Sequence, residues 1–118
     1  MVSKRLSLNQ AKLLKKHRYI LQKLASTSEQ NRRKILKNAP LDLFKTLNLI
    51  FRLLDGNKLN LSTNQTDKIK KHKRLIRSTS KLHGNDIKGK LSQQKGGALA
   101  SILSAVLPII GGLIKNIL

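Results

Sequence analysis

The chain has 118 residues, which sets one small domain plus tails as the expectation. Its 25 Lys plus Arg against five Asp plus Glu give a formal net charge of +20, with 39% hydrophobic and 3% aromatic residues. No Cys is present, which excludes disulfides, thiolate metal sites and Cys nucleophiles, and the charge excess repels itself and favours a polyanion, either nucleic acid or an anionic membrane.

Residues 1–8 read as a basic N-terminal tail. No apolar segment follows Met1-Val2-Ser3-Lys4-Arg5, so no secretory signal is expected there, and Val2 rules out N-myristoylation. From about Gln10 to Ala25 the spacing predicts a helix, with Asn9 as N-cap. Leu13, Leu14, His17, Ile20, Leu21 and Leu24 make its apolar stripe, and Lys12, Lys15, Lys16, Arg18 and Lys23 lie mostly off it. Thr27 with Gln30 offers a capping box for a short basic helix that turns Ile35 and Leu36 inward.

Pro40 restarts the chain, since proline suits the first turn of a helix. Leu43, Phe44, Leu47, Ile50, Phe51 and Leu54 form a broad stripe, which marks 40–54 as the central core helix. Asp55-Gly56-Asn57 is expected to stop it through a left-handed glycine. Ser62 with Gln65 makes another capping box for a helix from about Thr63 to Ser78. That helix carries Ile69, His72, Leu75 and Ile76 on one side and Lys68, Lys70, Lys71, Lys73, Arg74 and Arg77 on the rest. Residues 81–97 are cut by Gly84, Gly89, Gly96 and Gly97, and read as a linker with at most one short helix near Asp86–Leu91.

The closing stretch, 98–118, changes character. Leu99, Ile102, Leu103, Val106, Ile109, Ile110, Leu113 and Ile117 cover most of a helical circumference. Ser101, Ser104, Pro108, Gly111 or Gly112, and Lys115 form a thin seam. Three readings stay open: a transmembrane anchor, a membrane-active interfacial helix, or a helix that docks a protein groove or self-associates. Pro108 is expected to kink or break it. The fold class is all-α: a small bundle of about four helices over 9–80, plus a separate apolar C-terminal helix. Leu24, Ile35, Leu43, Phe44, Leu47, Ile50, Phe51, Leu54, Ile69 and Ile76 are its expected core.

For catalysis the sequence offers little. His17, His72 and His83 and the acids are scattered singly, with no metal, phosphate-loop or nucleophile motif, so no enzyme activity, cofactor or metal site is expected. His17 and His72 border helix stripes and read as interface or core-edge residues. Phosphate neutralisation needs only Lys and Arg. The candidates are Lys15, Lys16, Arg18, Arg32, Arg33, Lys34, Lys70, Lys71, Lys73, Arg74 and Arg77. Stacking aromatics are scarce, so duplex nucleic acid, held by backbone contact with low sequence specificity, is favoured over single strands. A solvated charge coat is the bland alternative.

The run "ILKNAPLDLFKTLNLIFRLLDGNKLNLSTNQTDKIKKHKRLIR" followed by "QKGGALASILSAVL" resembles the small basic proteins encoded by Polinton (Maverick) elements and related adintovirus-like viruses. Asn38-Ala39 before an apolar helix, Leu54 then Gly56-Asn57, Leu61 before a Lys-rich helix with Leu75, and Lys95-Gly96-Gly97 before an apolar tail carry the likeness. The resemblance implies a late structural protein of a virion, acting there or in the host nucleus or cytoplasm. Such elements encode an adenovirus-like cysteine protease that favours paired glycines, and Gln94-Lys95-Gly96-Gly97 is similar to such a site. It departs at Gln94, where an apolar residue is usual, and at Ala98-Leu99, where a bulkier residue is expected. A flexible hinge is the other reading of Gly96 and Gly97. By analogy with adenovirus, the basic part would condense the genome and a cleaved tail would disturb membranes.

The leading expectation is a non-enzymatic, virion-associated protein that binds and condenses nucleic acid. Its tail residues Leu99, Ile102, Leu103, Val106, Ile110, Leu113 and Ile117 would contact capsid protein or anionic membrane. A membrane-lytic protein and a structural minor capsid or cement protein are the alternatives.

Overall fold

A computed structural model of the chain describes residues 7–56, 59, 61–82, 84–93 and 98–117, with side chains at 84–85, 92–93 and 116–117 outside that description. Among the described residues there are eight helices and no strand. His83, the Gln94-Lys95-Gly96-Gly97 joint and the Ile117 side chain therefore lie outside it.

The expected first helix is two, α1 (Leu8–Lys16) and α2 (Arg18–Ser26), joined at His17. The cap is Ser7 rather than Asn9. The Ser7 hydroxyl accepts from Gln10 N at 3.1 Å and Gln10 Oε1 accepts from Ser7 N at 2.9 Å, so a full capping box starts the helix two residues earlier. At His17 the backbone leaves helical geometry (φ −102°, ψ 7°). The break lets α1 reach two neighbours while α2 runs on along one of them. α3 (Glu29–Asn38) is capped by Ser28, whose hydroxyl accepts from Asn31 N at 3.3 Å, one residue past the expected Thr27.

α4 (Leu41–Asp55) is the central helix the stripe predicts. Its end differs from expectation: Gly56 has φ −86°, so no left-handed residue closes it, and its N–H reaches Arg52 O at 3.0 Å. Ser62 and Gln65 form the expected capping box on α5 (Thr63–Lys70). A turn at Lys71-His72 then separates α5 from α6 (Lys73–Ser80), where one continuous helix was expected. α7 (Gly84–Gln93) is the short helix foreseen in the linker, and α8 (Ala98–Ile117) runs through Pro108 without interruption.

The pairs α1–α2 and α5–α6 are thus bent rods, and with α3 and α4 they make the four-rod bundle. α4 packs against α1, α6 and α7, while α3 bridges α2 and α7. α8 is a discrete element, but it does not stand off from the bundle: it packs against α1, α2 and α5. Leu99, Ile102, Leu103, Val106, Ile110 and Ile114 are buried in one cluster with Leu14, Leu21, Leu24, Phe44 and Ile50. Each fully buried aliphatic side chain contributes about 1.5–3 kcal/mol. Six of them therefore weigh as much as the roughly 5–15 kcal/mol net stability of a whole domain. α8 belongs to the core that holds the bundle together. Nine of the ten expected core residues are buried, and Ile35 is half-buried.

Candidate nucleic-acid interface

The α5–α6 rod carries seven cations, Lys68 to Lys81, against the single acid Asp67. Its apolar residues explain why so many lie outward. Ile69 and Ile76 are buried, as are Thr79 and Ser80, and Leu75 is half-buried, so these positions anchor the rod and leave its Lys and Arg side chains to solvent. Lys70 and Lys71 precede the turn; Lys73 and Arg74 follow it. All four are exposed, and none is in an ion pair among the described residues. An open cleft of about 460 Å³ follows the bend, bordered by these four, by half-buried His72 and Leu75, and by Ala98 at the start of α8. Arg77 lies one turn further on, with its Nε 3.6 Å from Asp55 Oδ1.

Two anchors fix the rod. The buried Asn48 amide of α4 donates to the carbonyls of Thr79 (3.2 Å), Ser80 (3.3 Å) and Leu82 (3.1 Å), and Arg52 Nε donates to Ser80 O at 3.2 Å. These bonds satisfy carbonyls that a helix C-terminus leaves without partners. At the other end Gln65 Nε2 donates to Ala105 O of α8 at 3.1 Å.

The other expected phosphate contacts are spread over α1–α3. Lys15, Arg18 and Lys34 are exposed. The Arg18 guanidinium lies over Gly111, where an added Cβ would come within 3.4 Å of Nη2. Lys16 pairs with Asp42 at 3.3 Å and Arg33 with Glu29 at 3.2 Å, both at the surface.

Arg32 is the correction. It is only 8% exposed, and its guanidinium donates to Leu24 O at 2.9 Å and Thr27 O at 2.8 Å. It closes the C-terminus of α2, where a cation is favoured by the helix dipole, and has no free face for phosphate. The sequence held the signal: Arg32, Ile35, Leu36 and Ala39 share one helical stripe.

The expected tail contacts are corrected too. Leu99, Ile102, Leu103, Val106 and Ile110 are buried inside the bundle and Leu113 is half-buried, so this face is already covered by the chain itself. The seam turns the other way: Ser101, Ser104, Pro108, Gly112 and Lys115 are exposed. Ala98–Lys115 is long and apolar enough to cross a membrane by length and composition, with a mean hydropathy of 1.9, yet 44% of it is buried in the fold. A soluble core helix passes the same test.

His17 sits on the buried stripe of the α1–α2 rod with Leu14, Leu21 and Leu24, and its Nε2 has no hydrogen-bond partner. Burial holds its pKa below the ordinary imidazole value. Lys16 pushes the same way, and Asp42 opposes. No cluster of three or more His, Cys, Asp or Glu fit to hold a metal occurs among the described residues. Tyr19 is the one exposed aromatic ring among them, with Lys23 Nζ 5.6 Å from its centroid; Phe44 and Phe51 are core.

Compared with known proteins, the chain matches no family model, no curated protein and no solved structure.

Proposed function

We propose that the protein is a non-enzymatic nucleic-acid-binding protein that neutralises backbone phosphates through the α5–α6 rod. The observation that carries this reading is the run of Lys70, Lys71, Lys73 and Arg74 around one bend. All are exposed, without carboxylate partners among the described residues, and border an open cleft. Lys is a point charge suited to phosphate, and the rod offers no exposed aromatic ring for stacking on bases. Duplex is therefore the preferred form, read by its backbone. Lys15, Arg18 and Lys34 provide further positive surface and let one chain touch more than one segment, which is what condensation requires. Arg32 has no part in binding.

The test is duplex affinity across a salt series for the wild type and for a variant with Lys70, Lys71, Lys73 and Arg74 replaced by Gln. Affinity that is insensitive to salt, or unchanged in the variant, would refute phosphate neutralisation through this rod.

Residence in a virus-like particle, as a genome-condensing or minor capsid protein, extends this reading and rests on the resemblance alone. Mass spectrometry of the protein from its natural source tests it, and also reports whether a new N-terminus forms at Ala98. A second reading, in which α8 leaves the bundle and enters an anionic membrane, is favoured by the length and hydropathy of Ala98–Lys115. It requires the buried side chains of Ala98, Leu99, Ile102, Leu103, Ala105, Val106, Ile110 and Ile114 to be withdrawn from the core. Dye leakage from anionic vesicles by the full chain is its test; leakage by a 98–118 peptide alone does not support it.

A further inference from the structure

α1 and α2 form a second basic rod, and it carries something the α5–α6 rod lacks. Lys12, Lys15, Lys16, Arg18 and Lys23 are all exposed on it. No Asp or Glu precedes Glu29 in the chain. Of these cations only Lys16 is in an ion pair among the described residues, with Asp42. Amid this charge stands the Tyr19 ring, 70% exposed.

Its position follows from the helix. Leu21 and Leu24 turn one side of α2 into the core, and steps of about 100° per residue carry Tyr19 to the middle of the opposite side. Gln22, Lys23 and Ser26 flank it there, all exposed and all within the unbroken α2. Lys23 Nζ lies over one face of the ring, 5.6 Å from its centroid, where the π-electrons attract the cation. With so much of the side chain in water, the other face is open. Leu8 and Leu41 are exposed as well, but they are aliphatic and present no π-face.

An open aromatic face beside unpaired cations selects its partner. A nucleobase stacks on the free face while lysines neutralise the phosphates on either side of it, the combination by which proteins hold single strands. In a duplex each base face is covered by its neighbour, so a ring on a convex helix surface does not reach it. A run of carboxylates in a peptide supplies charge without a planar face. We propose that Tyr19 is the stacking platform of a single-stranded nucleic-acid site on the α1–α2 rod, with Lys23 and, across the His17 break, Lys15 as phosphate contacts. The site goes beyond the duplex reading and uses a different element, so either can fail without the other.

Tyr19 is the only tyrosine and the chain has no tryptophan, so the intrinsic emission of the full-length protein reports on this ring. The probes are a dodecathymidylate strand, an abasic phosphodiester of the same length and charge, and a blunt duplex. The thymidylate should quench the emission saturably, because a stacked base deactivates the excited ring. The abasic strand and the duplex should leave most of it. Tyr19→Ala changes an exposed position and should melt with the wild type. Its affinity for labelled thymidylate, read by anisotropy, should fall about tenfold, while Tyr19→Phe stays within about twofold of the wild type. Duplex affinity should be unchanged in both. The proposal is overturned if thymidylate and the abasic strand quench alike, or if Tyr19→Ala binds thymidylate as the wild type does. It is also overturned if phosphatidylglycerol vesicles alter the emission and thymidylate does not, which would assign the ring to a membrane interface. Quenching by thymidylate that persists when Lys70, Lys71, Lys73 and Arg74 are replaced by Gln supports the site, whether or not that variant loses duplex binding.

Discussion

Replacing Arg32 with alanine removes two hydrogen bonds from a buried guanidinium, to Leu24 O at 2.9 Å and to Thr27 O at 2.8 Å. Hydrogen bonds to a charged group contribute about 1.5–3 kcal/mol each, and a cation at a helix C-terminus adds about 0.3–1 kcal/mol. Because water regains access to part of the site, the terms do not add fully, and the net loss is about 2–4 kcal/mol. For a domain of this length that corresponds to a fall in Tm of roughly 8–16 °C. Arg33, the next residue, is the control. It is exposed and pairs with Glu29 at i,i+4, an arrangement worth only about 0.3–0.5 kcal/mol. Melting followed by far-ultraviolet circular dichroism should separate the two variants clearly. Duplex binding, measured well below both melting points, should reverse the order: Arg33→Ala weakens it slightly and Arg32→Ala leaves it unchanged. An Arg32→Ala protein that melts with the wild type and binds duplex more weakly would refute the buried-clamp account.

Other expectations follow from the same packing. Folding depresses the pKa of His17 below its unfolded value of about 6.5, so the unfolded chain takes up a proton that the native state resists. Its contribution to stability is full above that value and is lost as pH falls through the lower folded pKa. Urea midpoints measured from pH 7 to about pH 5 should decline in the wild type and decline less in His17→Leu; equal slopes would contradict this. Ile102, fully buried on α8, should cost about 2–5 kcal/mol as Ile102→Ala. Exposed Ser101→Ala should stay within about 0.5 kcal/mol. Similar denaturation midpoints for these two would mean that α8 does not share the core.

How far the sequence reaches is visible in particular residues. Local chemistry is legible in the sequence where it decides the outcome. Ser62 and Gln65 cap α5 because the hydroxyl and amide satisfy donors within a single turn, and the α4 stripe is core because its apolar face is too broad to leave wet. Ser7 and Ser28 show the limit, since neighbouring Asn9 and Thr27 are equally good caps and the choice depends on where the helix must start for packing. The breaks at His17 and at Lys71-His72 have no local signal, because no glycine or proline marks them and they serve contacts with distant helices. α8 was ambiguous for a different reason: a core helix and a membrane helix have the same length and composition, and only the partners waiting on α1, α2 and α5 distinguish them. Arg32 and Asn48 were legible in principle. Each polar side chain falls on an apolar stripe, which marks it for a carbonyl rather than for solvent.

The role proposed for the α5–α6 rod is to hold nucleic acid by neutralising phosphates. Its most direct measurement is the slope of log affinity against log salt for a short duplex, in the wild type and in Lys71→Gln. If about six cations engage, the wild-type slope is near −5, and affinity falls about a thousandfold between 50 and 200 mM salt. Lys71→Gln should make the slope shallower by about one, with the same loss on unrelated sequences. A slope near zero, or one that Lys71→Gln leaves unchanged, would contradict the account.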